Sequence, residues 1–373
     1  MQLEKISIQK VLVSVGACLG LTIVASSSVQ AEVTIPVESF TGANAVSDNW
    51  IAGGFPNSAC LTAGNDLART PIPGCQRPRI DEIGSGVFRL TNADFDQSGY
   101  LLYNAPINSR DGLDAFFYAS QWGGNGADGI AFFFVDGAYE LNAPGGNGGS
   151  LGYASKYQHG GGTPQDGVAH GLLGVGFDVY GSYGTTNSDG ADCSTPAPGG
   201  ISNSIGVRGP GNGANGYCWI DGVDLSPLGI SLRGDTRAEG AHLFRIRVDS
   251  AEVEERKVRI FIDDVKVLTV PVPQEFLDAE TVKFGWTAGT GASTDFHEIW
   301  GASVKVVAEP VDYVYEAPTL EDDLEAISST TTQATEETLV ETGAQTNHQP
   351  LLGLLALSLG FALVGLGRRR RHG

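Results

Sequence analysis

Two runs of the chain are apolar at every position, two others alternate, and together they predict a sheet protein. Ile130-Ala131-Phe132-Phe133-Phe134-Val135 and Leu172-Leu173-Gly174-Val175-Gly176-Phe177 present no polar face. Strands of that kind are covered on both sides. Phe244, Ile246 and Val248 alternate with Arg245 and Arg247, and Val258, Ile260 and Ile262 with Lys257 and Arg259. Period-two alternation buries one face and wets the other, as in antiparallel sheets. Asp263-Asp264, between two β runs, reads as a hairpin turn. Helical periodicity of useful length is absent between residues 32 and 308, so the expectation is one large all-β domain, a β-sandwich.

The stretch from residue 126 to 178 carries the candidate chemistry. Gly126-Ala127-Asp128-Gly129 opens the first apolar strand, and Asp178 leaves the second, with Tyr180 two positions on. Between them runs Pro144-Gly145-Gly146-Asn147-Gly148-Gly149-Ser150-Leu151-Gly152. Acids on loops held by rigid strands are the usual form of a binding site. Taken singly, each aspartate also reads as an ordinary turn residue.

Composition limits the partners. The chain has 373 residues, 43 acidic against 23 basic, and a formal charge of −20. Phosphate backbones need a basic surface, so nucleic acid is excluded as a partner. Lys5 and Lys10 precede an apolar run over residues 11–25, and Val29-Gln30-Ala31 offers the small residues of a cleavage site, so residues 1–31 read as a signal peptide. Cys18 falls inside that leader.

At the other end, Leu339-Val340-Glu341-Thr342-Gly343 precedes an apolar segment over residues 351–366 and then Arg368 to Arg371. One reading is a single-pass membrane anchor. The other is a resemblance to a Gram-positive sortase sorting signal, with valine where proline is usual. That resemblance implies cleavage after Thr342 and attachment to peptidoglycan, on the extracellular face of the cell wall. Without leader and tail the net charge is −25, because the leader carries net +1 and the tail four arginines. Residues 309–342 hold ten acids and neither lysine nor arginine, and read as an extended, self-repelling stalk.

Cys60, Cys75, Cys193 and Cys218 remain in the exported chain, where oxidation is expected and three pairings exist. Sequence proximity favours Cys60–Cys75 and Cys193–Cys218. A zinc site is the rival, but neither a Cys-x-x-Cys spacing nor a nearby histidine pair is present.

Gly126 to Phe132, Gly148 to Gly152, Phe177-Asp178-Val179-Tyr180, Asn203 to Val207 and Gly285 to Gly291 occur in an order that resembles the legume-type (L-type) lectin domain, in the bacterial branch found on surface adhesins. The resemblance covers about residues 38–307. It implies a concanavalin-like jelly-roll sandwich with Ca2+ beneath a shallow sugar site. By the same resemblance Asp128 accepts from sugar hydroxyls, Gly149 donates its backbone N–H, and the Ala127–Asp128 bond is cis. Asp178 ligates calcium, and Tyr180 gives its carbonyl to the metal and its ring to the sugar. Ser182 stands where the family has a better ligand, asparagine. Gly176 and Ser204 stand where plant members use a glutamate and a histidine for a second metal.

Of Asn187, Asp189 and Asp192 in the long loop after Tyr183, Asp192 is the chosen further calcium ligand. The loop from Gly289 to Phe296, with Gly291, selects the sugar. His297 reads as structural. The chemistry is sensible on its own terms: a carboxylate's lone pairs suit vicinal hydroxyls, and calcium takes six to eight oxygens.

The function expected is a non-catalytic, calcium-dependent adhesin for host or environmental glycans. A glycan hydrolase or lyase on the same sandwich is the alternative, since fold does not choose function. It would need paired carboxylates across the bond, and no Glu-x-Asp-x-x-Glu-like strand occurs. A purely structural surface protein is the third reading. Replacing Thr342 and Gly343 should move the protein from the wall fraction to membrane or medium. Unchanged wall attachment would favour the membrane anchor.

Overall fold

The computed structural model describes residues 35–156 and 163–307. The leader, the acidic stalk and the sorting tail all lie outside the described residues. Sixteen strands are found among those described. In chain order they begin with β1 (Trp50–Phe55), β2 (Cys60–Leu61), β3 (Phe88–Thr91), β4 (Ser98–Asn108), β5 (Gly112–Trp122) and β6 (Gly129–Asp136). Next come β7 (Gly171–Asp178), β8 (Ser204–Arg208), β9 (Gly211–Asn212), β10 (Asn215–Gly216) and β11 (Trp219–Asp224). The last are β12 (Ala241–Val248), β13 (Lys257–Ile262), β14 (Val265–Pro271), β15 (Thr281–Gly289) and β16 (Phe296–Val307).

Two antiparallel sheets result, forming a jelly-roll β-sandwich. One runs β1-β4-β15-β6-β7-β8-β11, with β9 and β10 attached beside β7. The other runs β14-β13-β12-β5-β16-β3-β2.

The sequence pattern explains which faces are covered. Ile130, Phe132 and Phe134 point into the core between the sheets, with Leu173, Val175 and Phe177 beside them. Ala131, Phe133 and Val135 point the other way, into a second buried cluster with Leu151, Tyr153, Tyr183 and Tyr217. The long loops after β6 and β7 fold back over the outer face of the first sheet, which is why β6 has no polar side. On β7 the outward positions are Gly174 and Gly176. A side chain there would collide with the rings of Tyr153 and Tyr183 respectively. The alternating strands behave as expected, with Phe244, Ile246, Val248, Val258, Ile260 and Ile262 all buried. Asp263 and Asp264 take φ of 47° and 65°, making the two-residue turn between β13 and β14.

The disulfides are Cys60–Cys75 and Cys193–Cys218. With Cys193 and Cys218 oxidised to each other, neither offers a thiolate to a metal.

Phe117 of β5 ties the two sheets together. Its ring centroid lies 5.8 Å from Phe132 and 5.2 Å from Trp286 across the sandwich, and 5.5 Å from Phe244 on its own sheet. Phe117→Ala should lower unfolding stability by about 3–5 kcal/mol, through lost transfer energy and the cavity left behind. Chemical denaturation of the variant and parent measures it.

Candidate functional site

Three loops meet at the end of the first sheet where β6 begins and β7 ends. Asp128 sits at the mouth of β6 in a turn anchored on both sides. Its backbone N–H donates to the Gly289 carbonyl at 3.1 Å, and its own carbonyl accepts from Val179 and Tyr180 N–H at 3.0 and 3.3 Å. The preceding loop is held by Asn125 and Gly126 N–H, both donating to the Thr294 carbonyl. Arg233 and the Gly124 N–H both donate to the buried Asp295 carboxylate. The Ala127–Asp128 peptide bond is cis, as the resemblance implies.

Asp128 is 5% exposed, and its buried Oδ2 has no hydrogen-bond partner. Buried polar atoms are nearly always paired, so such an atom needs an explanation. The space before it is walled by glycine. A Cβ added at Gly291 would lie 3.3 Å from Oδ2, and one at Gly148, where φ is +62°, 3.6 Å away. Gly148 is pinned by its N–H to the Thr290 carbonyl. Beside the cleft, Tyr180 exposes 56% of its surface.

Burial raises the Asp128 carboxyl from its ordinary value to about 7, with Lys156 and the Gly291 amide opposing and Asp96 adding to the rise. Asp178 is likewise raised to about 7 by burial, against the Gly181 and Tyr183 amides.

Packing also requires a glycine at position 149. A side chain there would strike Ser182, so the glycine lets two loops pack together. Two residues at the cleft, Lys156 and Asp96, escaped sequence reasoning. Lys156 donates to Asn147 Oδ1 at 2.6 Å, and Asn147 Nδ2 reaches Asp96 at 3.4 Å. Their only signal was a lone lysine shortly after the glycine-rich crossing.

The calcium expectation meets a donor set that does not fit it. Asp178 Oδ1 accepts from the Gly181 N–H and Oδ2 from the Tyr183 N–H, both at 2.7 Å. Asp192 is not brought to it. The Asp192 side chain accepts from Gly216 N–H, Gly216 pairs with Gly211, and Gly211 pairs with Gly171 at the far end of β7. Eight residues of strand put that end about 23 Å from Asp178, at ~3.3 Å per step. Among the described residues one cluster of metal-ligating side chains is found, Asp192 with the disulfide-bonded Cys193 and Cys218.

Asp189 is nearer in sequence, but its Oδ1 takes a hydrogen bond from Arg208 Nη1 at 2.7 Å and its Oδ2 one from Ala197 N–H. Ser182 and Asn187 are neutral. Calcium takes six to eight oxygens, carboxylates prominent among them. Here Asp178 has one carboxylate neighbour, Asp128, which raises its pKa, and both of its own oxygens are taken up by backbone N–H groups, while the Arg208 guanidinium favours its charged form. At the positions where plant members hold a second metal, the Tyr183 ring covers Gly176 and the Ser204 hydroxyl donates to the Ile201 carbonyl.

His297 is fully buried, with Nδ1 at 2.6 Å from Thr91 Oγ1, and burial lowers its pKa to about 3. A second cleft, of about 700 Å³ and lined by His170, Trp219, Pro271 and Gln274 among others, lies at the opposite end of β7. None of its lining residues carries a buried polar side-chain atom without a partner. The Asp128 cleft is therefore the stronger candidate.

No family model matches this sequence, and no curated protein does. Several solved lectin structures resemble the fold. One is lectin I-B4 of Griffonia simplicifolia in its metal-free form, at 18% identity and a TM-score of 0.41, covering 73% of this chain and 100% of that one. A second is the Lotus tetragonolobus seed lectin, at 13% and 0.42, covering 74% and 100%. A third is the VIP36 exoplasmic/lumenal domain bound to Ca2+ and Man3GlcNAc, at 15% and 0.40, covering 73% and 90%.

The unfolded chain releases the Asp128 proton near 3.8 and the folded chain near 7, so between those values the folded state holds more protons and stability falls as pH rises. Asp128→Asn removes that penalty. Its melting temperature should exceed the parent's by roughly 10 °C above about pH 7, with the gap closing below about pH 4, since a rise of about three pKa units is worth about 4 kcal/mol and ~1 kcal/mol moves the midpoint ~2–4 °C. A gap independent of pH would contradict the assignment. Scanning calorimetry across pH measures it.

Proposed function

We propose that this chain is a non-catalytic carbohydrate-binding module that takes a sugar in the Asp128 cleft. The observation that carries the reading is Asp128 Oδ2, a buried acceptor without a partner, facing Gly148 and Gly291 beside an exposed tyrosine ring. A carboxylate so placed accepts from sugar hydroxyls, and the absence of side chains at the two glycines leaves room for a pyranose to approach. The Tyr180 ring supplies the flat apolar surface that a sugar's C–H face needs. Gly149 contributes by letting the Ser182 loop close on the cleft. Solved structures with the same kind of fold include a VIP36 domain bound to Man3GlcNAc, which agrees in chemical class.

Glycans on a host or in the surroundings are the proposed partners, met at the cell surface. Export and attachment to peptidoglycan through Thr342 rest on the leader and tail sequences alone. They would make the module an adhesin on an acidic stalk. Calcium, which the resemblance implies, is left out of this reading because Asp189 and Asp192 are engaged elsewhere.

The test is a glycan array probed with the full chain, its Asp128→Asn variant and its Tyr180→Ala variant. Hydrogen bonds to a charged group contribute about 1.5–3 kcal/mol, so Asp128→Asn should weaken binding by ~10–150-fold. Loss of the ring should cost ~2–10-fold. Prolonged incubation with bound glycans should release no reducing ends. Turnover abolished by mutating an acid would decide for a hydrolase.

A further inference from the structure

The loop that carries the far side of the cleft is gathered around one buried cation. Arg208, at the end of β8, is 0% exposed. Its Nε donates to the Tyr183 carbonyl at 2.9 Å, and Nη2 donates to the same carbonyl at 2.6 Å and to Thr185 at 2.8 Å. Nη1 donates to the Tyr217 carbonyl at 2.6 Å and to Asp189 Oδ1 at 2.7 Å. A guanidinium has five N–H donors, and five bonds are made. The group also lies 5.2 Å from the Tyr183 ring centroid and 5.6 Å from that of Trp219, in the range of cation–π attraction.

Three carbonyl oxygens and one carboxylate, drawn from separate parts of the chain, converge on it. Oxygens of that kind are what a calcium ion would collect.

The chain of contacts leads straight to the cleft. Tyr183, held by its carbonyl to Arg208, donates its N–H to Asp178 Oδ2. Asp178 ends the strand from which Val179 and Tyr180 N–H hold the Asp128 carbonyl.

We propose that Arg208 takes the place of a calcium ion in ordering this loop, so that the cleft binds its ligand without divalent metal. Arg208 is then a positioning residue, and the proposal rests on the sugar-binding reading only for the ligand. Lysine cannot substitute for it, because a single ammonium group cannot reach four separate oxygens in the geometry of a planar fork.

The experiment compares melting temperature and array binding of the full chain in EDTA and in calcium chloride, and repeats both with Arg208→Lys. The parent should melt within about 1 °C in the two conditions. A calcium site filled to a hundred times its dissociation constant would shift the midpoint by roughly 5–10 °C. Array binding should be equal in both conditions. Arg208→Lys should melt lower and lose at least about tenfold in binding, with calcium restoring neither.

Calcium-dependent melting or binding of the parent would overturn the proposal and leave the lectin reading intact. A variant that melts and binds like the parent would also overturn it. Metal-insensitive melting of the parent, a lower-melting variant and no glycan bound in any condition would support Arg208 as the organiser and remove the lectin reading instead.

Discussion

The five hydrogen bonds of Arg208 are the constraint on which the candidate site depends. The guanidinium is buried beneath a long loop that has little regular structure, only two short 3-10 turns between Ser182 and Ser188. Such a loop brings carbonyls into the interior that no sheet satisfies, and each would be costly if left unpaired. Arg208 satisfies Tyr183, Thr185 and Tyr217 together, and Asp189 balances its charge. Removing either partner of such a buried pair is costly, because the other is left as an isolated charge. The loop, the end of β7 and the Asp128 turn are therefore one connected unit.

Two buried carboxylates, Asp178 and Asp128, cost that unit stability at neutral pH, and only Asp128 has an oxygen without a partner. Asp128 is held where its carboxylate is desolvated and one oxygen is unpaired, although Lys156 and the Gly291 amide favour its charged form. A protein selected for stability alone would place an amide or an apolar residue there. Strain of this electrostatic kind concentrates where a ligand is to supply the missing hydrogen bonds.

Much of the fold was legible in the sequence, and for identifiable reasons. Period-two alternation in β12 and β13 and the all-apolar run of β6 report burial directly, and burial is what the sandwich consists of. Asp128, Gly291 and Tyr180 stand together at the cleft. Asp192 was misplaced because proximity to Cys193 says nothing of which end of β7 the loop returns to. Arg208 was missed although a trace of it was present. Residues 204, 206 and 208 share one face of β8, so an arginine following Ser204 and Gly206 belongs over the same surface as Asp178. What the sequence could not display is that four separate oxygens would be collected by one side chain, since three of them are backbone carbonyls.

A crystal structure of the chain with a bound glycan from the array tests the account most directly. The account predicts a sugar with hydroxyls about 2.5–3.0 Å from the Asp128 carboxylate. Its ring should lie against Tyr180, with the Arg208 contacts to Tyr183, Thr185 and Tyr217 unchanged. A sugar seated instead in the cleft between His170 and Trp219, with Asp128 Oδ2 still unpaired, would contradict it.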